Sequence, residues 1–77
     1  MLICFVLIKA KPGSEFRVLK KLENEPEIKE VYMIFGKYDF LVKISAKDIE
    51  SIDHIIKKIR LISGILDTIT LHELKMK

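Results

Sequence analysis

Apolar positions along this chain follow two different periods. From Leu2 to Ala10 the residues are β-branched, aromatic or otherwise apolar up to Lys9, and Lys11-Pro12-Gly13 closes the run. That composition, bounded by a Pro-Gly turn, predicts a strand. Ile3, Phe5 and Leu7 share one parity, while Leu2, Cys4, Val6 and Ile8 share the other. A strand wetted on one face alternates apolar with polar residues, so this one is expected to be covered on both faces.

The period then lengthens. Ser14 can N-cap a helix running to about Asn24. In it Phe16, Val18, Leu19 and Leu22 fall within an arc of about 160° at about 100° per residue, the signature of an amphipathic surface helix. Pro26 ends it. Strand character resumes from Ile28 to Phe35, again apolar on both parities: Val31, Met33 and Phe35 on one, Tyr32 and Ile34 on the other. Gly36-Lys37, or a slightly longer loop, makes a hairpin turn, and Phe40 to Ile44 is the returning strand.

The second helix has the clearest pattern, with Ile49, Ile52, Ile55, Ile56, Ile59 and Ile62 on an arc of about 140°. Two caps are open to it. Asp48 can be the N-cap, or Ser45 can be, with Asp48 closing a capping box and Ile44 stapled to Ile49. Glu50 with His54 and Asp53 with Lys57 stand at i,i+4 on the solvent side, and Gly64 is placed as the C′ residue. A last strand is expected from Ile65 to Leu74, with Ile69 and Leu71 on one parity and Thr68, Thr70 and His72 on the other.

The order β-α-β-β-α-β, without linker or repeat, predicts one domain over residues 1–77. Its fold class is α+β, a ferredoxin-like four-stranded antiparallel sheet with two helices on one face. Two helices cover one face of a sheet whose first two strands are apolar on both. A second copy of the chain is the expected cover, giving a face-to-face dimer or a larger assembly. A core this small makes association a natural supplement to stability.

Composition narrows the class. With 49% apolar and 32% charged residues the chain is globular and not disordered. Fourteen basic residues against eleven acidic give a net charge of +3, but the cations are spread over the whole length. Nucleic-acid binders concentrate them on one element. Ferredoxin-like sheets that bind RNA also present K/R-G-F/Y-G/A-F-V-x-F/Y on the third strand. The corresponding "GKYDFLVKI" keeps two aromatics, Tyr38 and Phe40, but places Asp39 between them, where it repels phosphate. Direct binding to nucleic acid is therefore not expected. The single Cys4 cannot form an intrachain disulfide and reads as a buried, inert thiol suited to a reducing compartment. The opening "MLICFVLIKAK" is too short an apolar run for a membrane span and lacks the basic start of a signal peptide, so a cytoplasmic location is expected.

Catalytic signals are missing from the residues. There is no C-x-x-C, no H-x-x-x-H, no Walker loop and no G-x-G-x-x-G. His54 and His72 stand without a nucleophile or acid at recognisable spacing. No catalytic residue, metal or cofactor is assigned, and the chain is not expected to be an enzyme.

Two segments carry a resemblance. Gly36-Lys37-Tyr38-Asp39-Phe40 resembles the G-x-Y/F-D-φ hairpin of the effector-binding half, or RAM domain, of the Lrp/AsnC family. Gly64-Ile65-Leu66-Asp67-Thr68-Ile69-Thr70 resembles that domain's G-V-x-x-T-x-T segment. Element order and spacing agree over essentially the whole chain. The family's regulators place a helix-turn-helix before this domain; here the first strand begins at about residue two, so the resemblance implies a stand-alone effector and assembly domain. It further implies dimers formed through the sheets and joined into rings, commonly an octamer. A free amino acid would bind near the junction between dimers, and a helix-turn-helix-bearing relative becomes a possible partner.

By position, the ligand-binding residues implied are Gly36, Tyr38 and Asp39 in the hairpin, with Thr68 and Thr70 on the last strand. Asp39 can take an ammonium by a charge-assisted hydrogen bond, and backbone N–H groups at the glycine-bearing turn can take a carboxylate. The threonine hydroxyls both donate and accept. A structural role stays open for each: Asp39 can bond its own hairpin's N–H groups, and the threonines are good strand formers. Two other functions also stay open. One is an assembly or adaptor domain that needs no ligand; the other is a small ferredoxin-like enzyme of the monooxygenase type, which rests on fold analogy alone.

Overall fold

A computed structural model describes residues 1–72 of the chain. Its elements are β1 (Leu2–Ala10), α1 (Glu15–Glu23), β2 (Ile28–Met33), β3 (Phe40–Ala46), α2 (Ile49–Arg60) and β4 (Ile65–His72). The strands form one sheet in the order β2-β3-β1-β4, and every neighbouring pair is antiparallel. This is the expected ferredoxin-like α+β fold.

Register assigns the faces. Cys4, Val6, Ile8 and Ala10 of β1 and Phe40, Val42, Ile44 and Ala46 of β3 are buried on the helix side. Against them pack Val18 and Leu22 of α1 and Ile52, Ile55, Ile56 and Ile59 of α2. Burial pushes the Cys4 thiol above its ordinary pKa, and the charge of Asp53 adds to the effect, so the thiol stays protonated and inert. On the opposite side no helix packs among the described residues. There Tyr32, Leu41, Leu7 and Ile69 form a single row across all four strands. The next row holds Glu30, Lys43, Phe5 and Leu71, with a Lys43–Glu30 ion pair at 3.6 Å. The parity expected for β4 holds: Ile69 and Leu71 lie on the open face, and Thr68, Thr70 and His72 share the helix side with Ile8, Val6 and Cys4. The remainder of the expected last strand, 73–74, lies outside the described residues.

Several expectations are corrected. Phe16 is 76% exposed and Ile49 56% exposed, although the helical arcs put both on the apolar stripes. Phe16 stands about 140° around the helix from the Val18–Leu22 line, and Ile49 is the first helical residue. β2 stops at Met33, not Phe35, and β3 runs on to Ala46. The hydroxyl of Ser14 makes no cap bond; it accepts from Arg17 Nη2 at 3.2 Å. Of the two caps open to α2, Asp48 is the one used, its Oδ1 accepting the Ser51 N–H at 2.8 Å.

Gly64 is not the C′ residue. Leu61 is the C-cap of α2, and Gly64 lies beyond it with φ +101°, where a Cβ would come within 2.8 Å of Ser14 Cβ. The glycine is needed for a close crossing over the start of α1. The helix-surface pairs Glu50–His54 and Asp53–Lys57 do not form among the described residues; the second ion pair found there is Lys58–Glu25 at 2.9 Å.

Candidate functional site

The loop 34–39 between β2 and β3 is fastened at its far end. The Ile34 N–H donates to the Asp39 carbonyl at 2.9 Å, and the Asp39 N–H donates to the Ile8 carbonyl at 2.8 Å. The pairing of β1 with β4 shifts register between Lys9 and Ala10. At that irregularity the Ala10 N–H donates to Asp39 Oδ2 at 2.8 Å, and Lys9 Nζ donates to the Lys37 carbonyl at 3.2 Å. Of the roles left open for Asp39, a bond from its carboxylate to its own hairpin's N–H groups is not the one found: the carboxylate serves the neighbouring strand. Oδ1 takes no hydrogen bond from the described residues and keeps its acceptor capacity. Gly36 has φ +116° with open space around it. Tyr38 is half-buried, while Phe35 projects fully into solvent.

Thr68 and Thr70 belong to the other side of β1. Thr68 pairs with Ile8, whose opposite neighbour is Phe40, and Thr70 pairs with Val6. The hairpin and Thr68 therefore occupy the same end of the sheet but are separated by β1, about 10 Å at two strand spacings. Thr68 Oγ1 accepts from Arg60 Nε at 3.1 Å, and the Thr68 N–H donates to Asp67 Oδ1 at 2.9 Å. A depression of about 280 Å³ opens here, lined by Arg60, Ile65, Leu66, Asp67 and Thr68. No hairpin residue lines it. Within one chain, then, Gly36, Tyr38 and Asp39 come together on one loop and Thr68 and Thr70 on one strand, and the two sets do not share a cavity.

Arg60 and Asp67 are not among the ligand-binding residues that the resemblance implies. A basic residue in the last turn of a helix reads as a complement to the helix dipole, and nothing local ties it to a threonine eight residues on. Among the described residues no group of three metal-ligating side chains converges, and His54 and His72 are exposed. No described helix is long and apolar enough to cross a membrane.

The fold is a ferredoxin-like sheet with a fastened hairpin on one side of β1 and a depression on the other. A sequence model described as "Lrp/AsnC ligand binding domain" matches residues 3–76. The chain belongs to the Lrp/AsnC family and carries its ligand-binding, regulatory domain. The HTH-type transcriptional regulator FL11 of Pyrococcus furiosus is 39% identical over 75 residues, covering 97% of this chain and 50% of the regulator. The chain thus spans about half the length of the curated relatives it matches. The crystal structure of FFRP-DM1 superposes with a TM-score of 0.91 at 35% identity, over 96% of this chain and 100% of that one. A segment of the homocitrate synthase of Sulfurisphaera tokodaii is 43% identical over 53 residues, 69% of this chain and 12% of the enzyme.

Proposed function

We propose that the chain is a non-enzymatic module that binds a free amino acid, assembles with copies of itself, and so modulates a related helix-turn-helix regulator. The observation that carries the assembly half is the open face of the sheet. Tyr32, Leu41, Leu7 and Ile69 line up across four strands with no described helix over them, and Tyr32, Ile69 and Leu71 are among the exposed large side chains. Contiguous exposed apolar surface of this kind marks an interaction site, and a second copy supplies a self-complementary cover.

The effector half rests on the family's ligand-binding domain and on the chemistry of the hairpin. A ligand touching Gly36, Tyr38 and Asp39 together with Thr68 and Thr70 would lie between copies, because β1 separates the two sets within one chain. Dimers joined in a ring, up to an octamer, would create such junctions. Asp39 Oδ1 would take the ammonium. Ligand held at a shared junction favours the assembled state, since only differential affinity shifts an equilibrium. The partner is a regulator of the FL11 kind, the site of action cytoplasmic, and contact with DNA is left to that partner. Two facts support the absence of catalysis: relatives matched over 96–97% of this chain are named regulators, and the match to homocitrate synthase spans only 12% of that enzyme.

One observation favours a second reading. Asp39 already has a structural task at Ala10, as it would in an assembly domain that needs no ligand. Light scattering with and without each amino acid separates the two. A change in particle mass or unfolding midpoint with one chemical class supports the effector reading. An assembly that forms identically under every amino acid establishes the adaptor reading instead.

A further inference from the structure

The five residues carried by the family resemblance include a carboxylate and three hydroxyls but no cation. An amino-acid effector brings a carboxylate that needs one, or a set of converging N–H donors. We infer that Arg60, held in place by Thr68, is the group that takes the ligand's carboxylate, in the depression between α2 and β4. This rests on the amino-acid reading above.

Arg60 Nε is committed to Thr68 Oγ1 at 3.1 Å, which fixes the plane of the guanidinium and leaves both Nη groups as donors. A planar fork fixed in this way matches a carboxylate with two parallel hydrogen bonds. Neither ion pair among the described residues involves Arg60, so its charge is not already answered there. Lys57 stands in the same last turn of α2 and adds to the positive charge at the negative end of the helix dipole, while Lys58 is paired with Glu25.

Across the depression stands a charge of the other sign. Asp67 lines it and gives only Oδ1 to the Thr68 N–H. The guanidinium and the Asp67 carboxylate line one depression of about 280 Å³ without pairing with each other, so the Nη donors stay open to the ligand's carboxylate while its ammonium goes to Asp39 Oδ1 of a neighbouring copy. The volume is near the small end of ligand sites, about 300 Å³. Ile65 and Leu66 add apolar wall. In this arrangement Thr68 is a positioning residue: its hydroxyl oxygen accepts from Arg60 and so orients the guanidinium toward the ligand.

The test uses the whole chain and three matched probes for each side chain: the L-amino acid, the 2-oxo acid that lacks the ammonium, and the primary amine that lacks the carboxylate. Binding is measured calorimetrically on wild type, Arg60→Gln and Thr68→Val. The expected result is that one amino acid binds and its amine does not. Arg60→Gln should weaken binding roughly ten- to hundredfold, the range for a lost charge-assisted hydrogen bond. Thr68→Val should weaken it by a smaller factor, and neither variant should shift the ligand-free unfolding midpoint appreciably, since Arg60 and the bond it makes to Thr68 are exposed. Equal affinity of Arg60→Gln and wild type for the amino acid, or tight binding of the amine, overturns the role of Arg60 and leaves the amino-acid reading standing. Binding of the 2-oxo acid alone, lost in Arg60→Gln, upholds Arg60 and overturns the amino acid as effector. If no carboxylate-bearing probe binds, both fall.

Discussion

The carboxylate of Asp39 accepts a hydrogen bond from the Ala10 N–H at 2.8 Å, joining positions 29 residues apart. The bond sits where the β1–β4 register shifts between Lys9 and Ala10. With the Lys9–Lys37 bond, it fastens the loop 34–39 to the end of the central strand. A loop tied at this point presents Gly36 and Tyr38 in one arrangement, which spares a ligand the cost of ordering them.

Asp39→Ala removes the acceptor and leaves a part-buried N–H unanswered. Stability should fall by about 1–2 kcal/mol, the usual cost of an unsatisfied donor, read from urea unfolding. Asp39→Asn keeps an oxygen for Ala10 but loses the charge. It should unfold close to wild type while losing amino-acid affinity. An Asn variant that binds normally would show that the carboxylate serves the fold alone.

Gly64→Ala should be among the more damaging substitutions of a small side chain, by about 2–3 kcal/mol. Alanine is strained by roughly 1–2 kcal/mol at positive φ, and its Cβ would meet Ser14 Cβ at 2.8 Å. Combining it with Ser14→Gly removes the collision and not the strain. The double variant should therefore recover part of the loss, and a double-mutant cycle that shows simple additivity would exclude the contact as the cause.

Leu7 lies in the row shared by all four strands on the open face. Leu7→Lys places a charge in any interface built there, so sedimentation should show a smaller particle, with the far-ultraviolet dichroism of a folded domain. An unchanged particle mass would locate the assembly surface elsewhere.

Three exposed groups predict the pH profile. The hydrogen bond from the Ser51 backbone N–H holds the Asp48 carboxyl below its usual range. The hydrogen bond from Tyr32, followed by the charge of Lys43, does the same for Glu30. A carboxyl whose folded pKa lies below its unfolded value stabilises the fold above the unfolded value, and that contribution is lost as pH falls through the folded one. Tyr32 has the opposite sign: its bond to Glu30, then that residue's charge, raises its pKa. Its contribution is complete below the unfolded value near 10 and is lost as pH rises through the folded one. Asp48→Asn should flatten the acid limb of the melting profile, and Tyr32→Phe the alkaline limb. Unchanged limbs would mean that these bonds do not persist in solution.

The sequence by itself determined the order of elements, the two faces of β1 and the parity of β4, because periods of 2 and 3.6 report local backbone geometry. It also marked the open face: Phe5 and Leu7 are apolar at positions the helices cannot reach. Cap choice, helix ends and the exposure of Phe16 and Ile49 lay within a few residues of the reading but depended on where the sheet stops. The tertiary structure alone decided which distant groups meet. Ala10 reaches Asp39 because β1 and β3 are neighbours. Gly64 crosses Ser14 because α2 exits over the start of α1, and Arg60 meets Thr68 because β4 turns back beside the helix it follows. Such contacts follow from strand adjacency and chain crossing, which sum over the whole molecule, and no local run of residues encodes them.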